Sequence, residues 1–345
     1  MNWNKKTLRV GALAILLAML IRLIGSLVLG NVWEIFAQPE LASFLVYSES
    51  GRAPEDTTEP PQTTEPSTEP STEPSTEPST EPTTQAPIAI PDTVPVFTED
   101  DTAYVKMNYS CSKDPNIEAL LTKTLNWDLT GDEPAVLIIH THGTEAFTPT
   151  EDTSYEEDGG EYRTLNEDYN MMSLGDELER LLEAGGVHVV HDRTYYDYPD
   201  YLSAYDNSRD GARKMLAQYP TVKLVIDLHR DAAENSDGSQ WATSATVNGE
   251  QSAQVMFVLG TDTYYTHPNW QTNLSIALKL NALMEKTHPG VTRPIDLRRQ
   301  RFNHDLSNGA MIAEIGAAGN THEEAMNAVS VLAEAILQLA HGANY

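Results

Sequence analysis

The order of apolar segments after residue 130 constrains the fold of this chain more than any other feature of its sequence. Short apolar runs that fit buried strands alternate with longer segments whose apolar residues recur at helical spacing. The apolar runs are AVLIIH (135–140), VHVVH (187–191), VKLVIDLH (222–229), QVMFVLG (254–260) and AMIAEIG (310–316). Because strands that alternate with helices pair in parallel through crossover connections, we predict an α/β fold with an open, mostly parallel sheet and helices on both faces.

The segments between these runs carry helix start and stop signals. YNMMSLGDELERLLEAGG ends at Gly185 and Gly186, and the next helix, over 201–219, stops before Pro220. A third helix is predicted for NWQTNLSIALKLNALMEKTHPG. The last helix opens with Thr321 and Glu324, the pattern of a capping box. We interpret 232–253 as a polar insertion with a hairpin, 101–129 as a lead-in segment poor in strands, and 130–345 as the folded domain.

Histidine and glutamate residues follow three of the predicted strands. His140, His142 and Glu145 come after the first strand, His229 ends the third, and Glu314 lies in the fifth. Sites in open α/β sheets form at the carboxyl ends of the strands. We therefore expect these side chains to meet at one edge of the sheet.

This set of residues suits a catalytic zinc site. Zinc binds imidazole nitrogen and carboxylate oxygen, and a catalytic site keeps three protein ligands and an open position. We predict His142, Glu145 and His229 as the ligands and Glu314 as the group that transfers the proton. His140 is an alternative ligand or orients another ligand, and the acids of the IDLHRD segment, Asp227 and Asp231, are interpreted as supporting or structural residues. The remaining histidines have no partner pattern and are interpreted as surface or packing residues.

The first 30 residues have the pattern of a membrane anchor. Lys5, Lys6 and Arg9 precede an apolar run from Val10 to Leu29, and about 20 such residues cross a bilayer as a helix. Positive charges before the run favour an inside amino terminus, so we expect the rest of the chain outside the cytoplasm. A cleaved signal peptide is the alternative interpretation.

A repeat of Ser/Thr, Thr, Glu and Pro follows the apolar run. It dominates residues 48–100. The repeat itself has almost no apolar side chains, so folding it could not offset the loss of conformational entropy. We predict a disordered, extended linker that holds the folded domain away from the membrane.

Charge and cysteine content exclude several classes of protein. The formal net charge is −29, which is incompatible with the basic surface that a nucleic-acid-binding protein needs. Cys111 is the single cysteine, so the chain can form neither an internal disulfide nor a zinc site made of several thiolates.

Several motifs resemble those of the stage II sporulation protein P family of endospore-forming bacteria. They are LIIHTHGTEAF, IDLHRDA, ATVNGEQSAQVMFVLGT, HPNW and AEIGAAGNTHEEA, in the order of the family, over about residues 130–340. The resemblance implies peptidoglycan hydrolysis during forespore engulfment, with N-acetylmuramoyl-L-alanine amidase and endopeptidase activities. It also implies a location at the cell membrane, facing the space between mother cell and forespore. The partners that it implies are stage II sporulation proteins D and M.

A wider similarity connects the chain to zinc amidases of the amidase-3 type. Glu314, Gly316 and Asn320 match a Glu-x-Gly-x-x-x-Asn pattern in which the glutamate acts in catalysis, and the first and third metal ligands correspond to His142 and His229. The second ligand departs from the pattern, because Asn166 stands where those amidases have a glutamate. We prefer Glu145, whose His-x-x-Glu spacing resembles zinc carboxypeptidases, and keep the neighbouring Glu167 as an alternative.

The sequence therefore predicts a membrane-anchored zinc amidase that cleaves peptidoglycan. Two alternatives remain open. One is an endopeptidase that cuts stem-peptide cross-links, and the other is a peptidoglycan-binding module that recruits another hydrolase.

Overall fold

A seven-stranded sheet runs through the part of the chain that the computed structural model describes, residues 90–91, 93–233, 235 and 239–344. Its strands are β1 (Met107–Tyr109), β2 (Val136–Ile139), β3 (Val189–His191), β4 (Leu224–Asp231), β7 (Val255–Gly260), β8 (Ile295–Arg298) and β9 (Ala310–Ala317). A separate antiparallel hairpin is formed by β5 (Ala245–Val247) and β6 (Glu250–Ser252).

The described residues also form five α-helices. They are α1 (Ile117–Leu121), α2 (Met171–Ala184), α3 (Ala204–Gln218), α4 (Trp270–Thr287) and α5 (His322–Gln338), and short 3-10 helices cover Glu99–Tyr104, Tyr201–Ser203 and His304–Leu306. The helix starts follow the sequence signals. The Asn170 side chain accepts a hydrogen bond from the Met172 backbone N–H at the start of α2, and the capping box predicted from Thr321 and Glu324 is present at the start of α5.

The sheet consists of two parallel blocks that meet at one antiparallel pair. The strand order is β1-β8-β7-β9-β4-β2-β3, and every neighbouring pair is parallel except β7 and β9. The open, mostly parallel sheet that the sequence predicts is thus confirmed. The carboxyl ends of β2, β4 and β9 lie side by side at one edge.

Helices cover both faces of the sheet. Val136 and Ile138 of β2 belong to the large hydrophobic cluster that contains residues of α2, α4 and α5, whereas Leu137 and Ile139 pack with Ala212 of α3. Successive residues of a strand point to opposite faces, so these two clusters mark the two sides of the sheet. The α3 side carries Asp227, His229 and Glu314, because they alternate with residues of the large cluster along β4 and β9.

The structure adds several features to the predicted elements. It contains β1 and β8, which the apolar runs do not indicate, and it places β7 antiparallel to β9. The predicted hairpin within 232–253 is present as β5 and β6. Residues of the lead-in segment, among them Leu121 and Leu129, belong to the large hydrophobic cluster.

The amino-terminal predictions lie largely outside the described residues. These are the anchor over 1–30 and the linker over 48–100, of which only residues from 90 onward are described. Among the described residues, no helix has both the length and the apolar character that a membrane crossing requires.

Candidate metal centre at the strand ends

Three neighbouring strands bring the predicted site residues together. In the sheet register, His229 of β4 lies opposite Glu314 of β9, and Asp227 lies opposite Ile139, the last residue of β2. The chain turns immediately after β2, which places His142 and Glu145 above the end of β4. The parallel pairing of β9, β4 and β2 therefore builds the predicted constellation.

Three potential metal ligands face one another at this edge. The Nδ1 atom of His229 lies 3.6 Å from Oε2 of Glu145, and the ring centroids of His142 and His229 are 5.3 Å apart. All three residues are buried, with 8% or less of their surface exposed. Ligand atoms around a tetrahedral zinc ion are about 3.3 Å apart, given bond lengths of about 2.0–2.2 Å. The separation of Glu145 and His229 is close to that value.

Asp227 determines which nitrogen of His229 is available for a metal. Its Oδ1 atom lies 2.9 Å from Nε2 of His229, and its two oxygens also accept hydrogen bonds from the backbone N–H and hydroxyl of Thr141. A carboxylate only accepts, so Nε2 donates, and Nδ1 faces Glu145. This is the carboxylate–histidine arrangement that commonly supports a metal ligand.

The field around His229 favours positive charge. Burial alone would lower the pKa of His229, but the carboxylates of Asp227 and Glu145 raise it well above its usual value. Without a metal, the site attracts a proton to the position between Nδ1 and Glu145. The same two carboxylates would stabilise a divalent cation there.

Glu145 is held as a carboxylate by two arginine residues. Its pKa is lowered despite burial, because Arg230 and Arg163 lie nearby and His229 donates to it. The Arg163 guanidinium lies 3.3 Å from Oε1, and the Arg230 backbone N–H donates to Oε2 at 3.2 Å. Glu145 is therefore charged and oriented before any metal arrives.

His142 is neutral and has an unused nitrogen. Burial lowers its pKa to about 3, and its Nδ1 atom is buried without a hydrogen-bond partner, 4.0 Å from Oδ2 of Asp197. The ring stacks on Tyr201 with centroids 4.5 Å apart and an interplanar angle of 13°. A neutral imidazole with a free nitrogen is the form that binds metal. The three residues thus fit zinc in donor type, and the Glu145–His229 pair also fits in spacing.

Glu314 has the properties of a proton-transfer group. Burial and the neighbouring Asp231 carboxylate raise its pKa to about 8, and its Oε2 atom is buried without a hydrogen-bond partner. Nearby positive charge from His229 and Arg298 opposes the shift. A carboxyl group with a pKa near neutrality can both accept and return a proton at physiological pH.

The two alternative ligands have other partners. His140 is fully buried, and its Nδ1 and Nε2 atoms contact the Leu228 carbonyl at 3.0 Å and Nε2 of His191 at 2.8 Å. The Glu167 carboxylate is half-exposed and pairs with Arg193. In this structure both side chains are thus engaged in other contacts.

Sequence reasoning missed two buried residues that support the site. Asp197 accepts hydrogen bonds from the hydroxyl and backbone N–H of Thr144 and from Arg163 at 2.9 Å, and the Arg163 guanidinium lies 4.6 Å from the centroid of the Tyr201 ring. They connect Glu145 with the ring that stacks on His142. Both come from irregular segments, where no periodic pattern marks a buried polar residue.

Together, the fold and the site define an α/β protein with a candidate metal centre and an adjacent carboxyl group at the carboxyl edge of its sheet. The chain belongs to the stage II sporulation protein P family, whose sequence profile matches residues 37–337. The resemblance stated from the motifs is thereby confirmed.

A curated relative matches part of this chain. The chain is 28% identical over 221 residues to stage II sporulation protein P of Bacillus subtilis (strain 168), a match that covers 61% of this chain and 52% of that protein. The chain thus matches about half the length of this curated relative.

Two of the solved structures that match part of this chain are amidases. Ami1, an N-acetylmuramyl-L-alanine amidase from Mycobacterium smegmatis, is 10% identical with a TM-score of 0.38, over 61% of this chain and 97% of that one. The CwlD amidase from Clostridioides difficile, solved in complex with the GerS lipoprotein, is 13% identical with a TM-score of 0.34, over 59% of this chain and 96% of that one.

Proposed function

We propose that this chain is a zinc-dependent peptidoglycan hydrolase that cleaves the amide between the muramic acid lactyl group and L-alanine. We further propose that residues 1–30 anchor it in the cell membrane, that its folded domain acts outside the cytoplasm during engulfment, and that stage II sporulation proteins D and M are its partners. Family membership supports the sporulation role.

One observation carries the proposed chemistry. His229 lies opposite Glu314 on adjacent parallel strands, and its ring contacts His142. Its Nδ1 atom lies 3.6 Å from Glu145, and Asp227 holds its Nε2 atom. When bound there, a zinc ion supplies Lewis acidity to a carbonyl group and makes water more acidic. His142, Glu145 and His229 would hold it.

The chain's own residues then account for the proton transfers. Glu314 accepts a proton from the water whose oxygen attacks the lactyl carbonyl carbon. It returns this proton to the nitrogen of L-alanine as the carbon–nitrogen bond breaks, so the stem peptide leaves as a neutral or protonated amine. Arg163 and the Arg230 backbone keep Glu145 ionised and oriented throughout.

Mass spectrometry of purified sacculi tests this function. The full chain, incubated with sacculi, is expected to release stem peptides with new L-alanine amino termini, and a chelator should abolish the release. Glu314→Gln is expected to reduce turnover by about 10²–10⁴-fold, because it removes the group that transfers the proton. Glu177→Gln, at a partly exposed position in the middle of α2 where Glu177 pairs with Arg180, serves as a control and should retain the parent's activity.

Other outcomes would contradict the proposal. Cut cross-links without new L-alanine amino termini would identify an endopeptidase. Sacculi left unchanged by the zinc-loaded chain would favour the peptidoglycan-binding alternative. A Glu314→Gln variant as fast as the parent would remove Glu314 from the chemistry.

A further inference from the structure

A second group of metal-ligating side chains lies between α2 and β3, outside the site described above. Asp176 and Glu179 are three residues apart on α2 and so share a face of that helix, and they face His191, the last residue of β3. Nδ1 of His191 lies 3.1 Å from Oδ1 of Asp176 and 3.6 Å from Oε2 of Glu179. One ligand atom from each residue lies within 4.8 Å of the other two.

These separations match the coordination sphere of a small divalent cation. Around a tetrahedral zinc ion the ligand atoms are about 3.3 Å apart. The carboxylates are partly exposed, with 48% of the Asp176 side chain and 38% of the Glu179 side chain accessible, whereas the His191 side chain is 2% exposed. The cluster therefore has a buried nitrogen at its base and two carboxylates that open to solvent.

A hydrogen bond outside this cluster determines which ring nitrogen of a neutral His191 carries a hydrogen. Nδ1 of His140 lies 3.0 Å from the Leu228 carbonyl, which only accepts, so that nitrogen carries the hydrogen. The Nε2 atom of a neutral His140 then accepts, and Nε2 of His191, 2.8 Å away, donates to it. This leaves the Nδ1 lone pair of His191 directed at two carboxylates, with no hydrogen between them.

Protonation of Nδ1 of His191 would also remove the repulsion between its lone pair and the two carboxylates. Burial opposes it, since it lowers the pKa of His191. The acids also repel one another. Burial raises the pKa of Glu179, and the nearby Asp176 and Glu183 carboxylates raise it further. A divalent cation would satisfy the lone pair and both carboxylates at once.

The helix is shaped to accept the two histidine rings. Gly175 lies within α2, where glycine is less favourable than alanine. A Cβ atom at this position would lie 2.7 Å from Nε2 of His140 and would also overlap Nε2 of His191. The glycine explains how the histidine pair reaches the helix backbone and the acids beyond it.

We propose that Asp176, Glu179 and His191 form a second site for a zinc-type divalent cation, separate from the candidate catalytic centre. One imidazole and two carboxylates suit zinc or a similar transition metal better than calcium, which prefers oxygen ligands alone. The ion would tie α2 to the end of β3. Through His140 the site also contacts the Leu228 backbone, one residue before His229. This inference does not depend on the proposed function.

Arg193 competes with a cation at this site. Its guanidinium pairs with Asp176 and with Glu167. Exposed pairs of this kind contribute little to stability, so Arg193→Ala is expected to tighten zinc binding by about threefold. Equal or weaker binding by Arg193→Ala would count against a cation at Asp176.

Zinc stoichiometry of the metal-depleted full chain tests the site most sharply. Equilibrium dialysis against zinc with an excess of Mg²⁺, followed by elemental analysis, compares the parent, Asp176→Asn/Glu179→Gln, and the control Glu177→Gln. Glu177 lies on the same helix and pairs with Arg180 at 2.6 Å, so the control removes one acid of α2 without touching the cluster. The double variant is expected to bind one zinc ion fewer than both the parent and the control.

The outcomes separate this inference from the proposed function. Equal stoichiometry in the double variant and the control would overturn the second site. His142→Ala should remove a different zinc ion. If it removes none while the double variant still loses one, the second site stands and the proposed catalytic centre fails.

Discussion

At the scale of single residues, the chemistry of the site depends on which partner each buried group has. His229 lies between Asp227 and Glu145, whose carboxylates raise its pKa, whereas burial keeps His142 neutral. Without a metal, His229 thus tends to be protonated and His142 to be neutral, although both lie at one sheet edge. The sequence indicates both as ligands, but the difference follows from neighbours that only the fold brings together.

Glu314 makes the stability of the metal-free protein depend on pH. Its pKa is raised from 4.5 to about 8, so the folded state binds this proton more tightly than the unfolded state does. The contribution of Glu314 to stability is therefore present below about pH 4.5 and is lost as the pH rises toward about 8. The free energy of unfolding of the parent, relative to Glu314→Gln, should fall over this window.

Denaturant titration of the metal-free parent and Glu314→Gln at both ends of the window measures this difference. The comparison cancels other titrating groups, including His229, to the extent that they behave alike in both proteins. An identical pH dependence in parent and variant would show that Glu314 titrates near its ordinary value.

At the scale of secondary-structure elements, apolar runs identify the strands that pack the core and miss those at the far edge. The five predicted strands are all present, and four of them are runs of mostly buried residues, whereas in β3 only Val189 is buried. By contrast, β1 has three residues, none of them buried, and β8 includes Asp296 and Arg298. The direction of β7 was also not predictable from its composition, since the insertion after β4 decides where the chain re-enters the sheet.

The loop from β9 to α5 depends on Asn320, a residue that the sequence motif marks as important without giving a reason. Oδ1 of this fully buried residue accepts from the backbone N–H groups of Thr243 and Ala317, and Nδ2 donates to the Thr243 carbonyl and to Glu324. Asn320 thus ties the insertion to the strand that carries Glu314. We interpret it as a structural support for that strand end.

Asn320→Ala is expected to lower the free energy of unfolding by about 2–4 kcal/mol, because it leaves buried backbone groups without partners. Chemical denaturation measures the change. Asn327→Ala, which removes one exposed hydrogen bond to the Gln251 carbonyl, is the matched control and should cost less than about 1 kcal/mol. A loss for Asn320→Ala no larger than that of the control would contradict the supporting role.

At the scale of the whole molecule, the proposal combines a described folded domain with an amino-terminal region predicted from sequence alone. The apolar run and the acidic repeat lie outside the described residues, so the anchor and the linker remain predictions. The contacts around each proposed ligand are known from the folded domain, because sequence patterns predicted few of them. Arg163 and Asp197 make some of these contacts, and no spacing rule would have selected them.

The central claim is that His142, Glu145 and His229 hold one metal ion. A crystal structure of the zinc-loaded chain, with anomalous differences measured at the zinc absorption edge, tests it most directly. We predict a peak bonded to Nδ1 of His229 and to the side chains of His142 and Glu145, with Nε2 of His229 still donating to Asp227. An absence of anomalous density among these three residues would contradict the account.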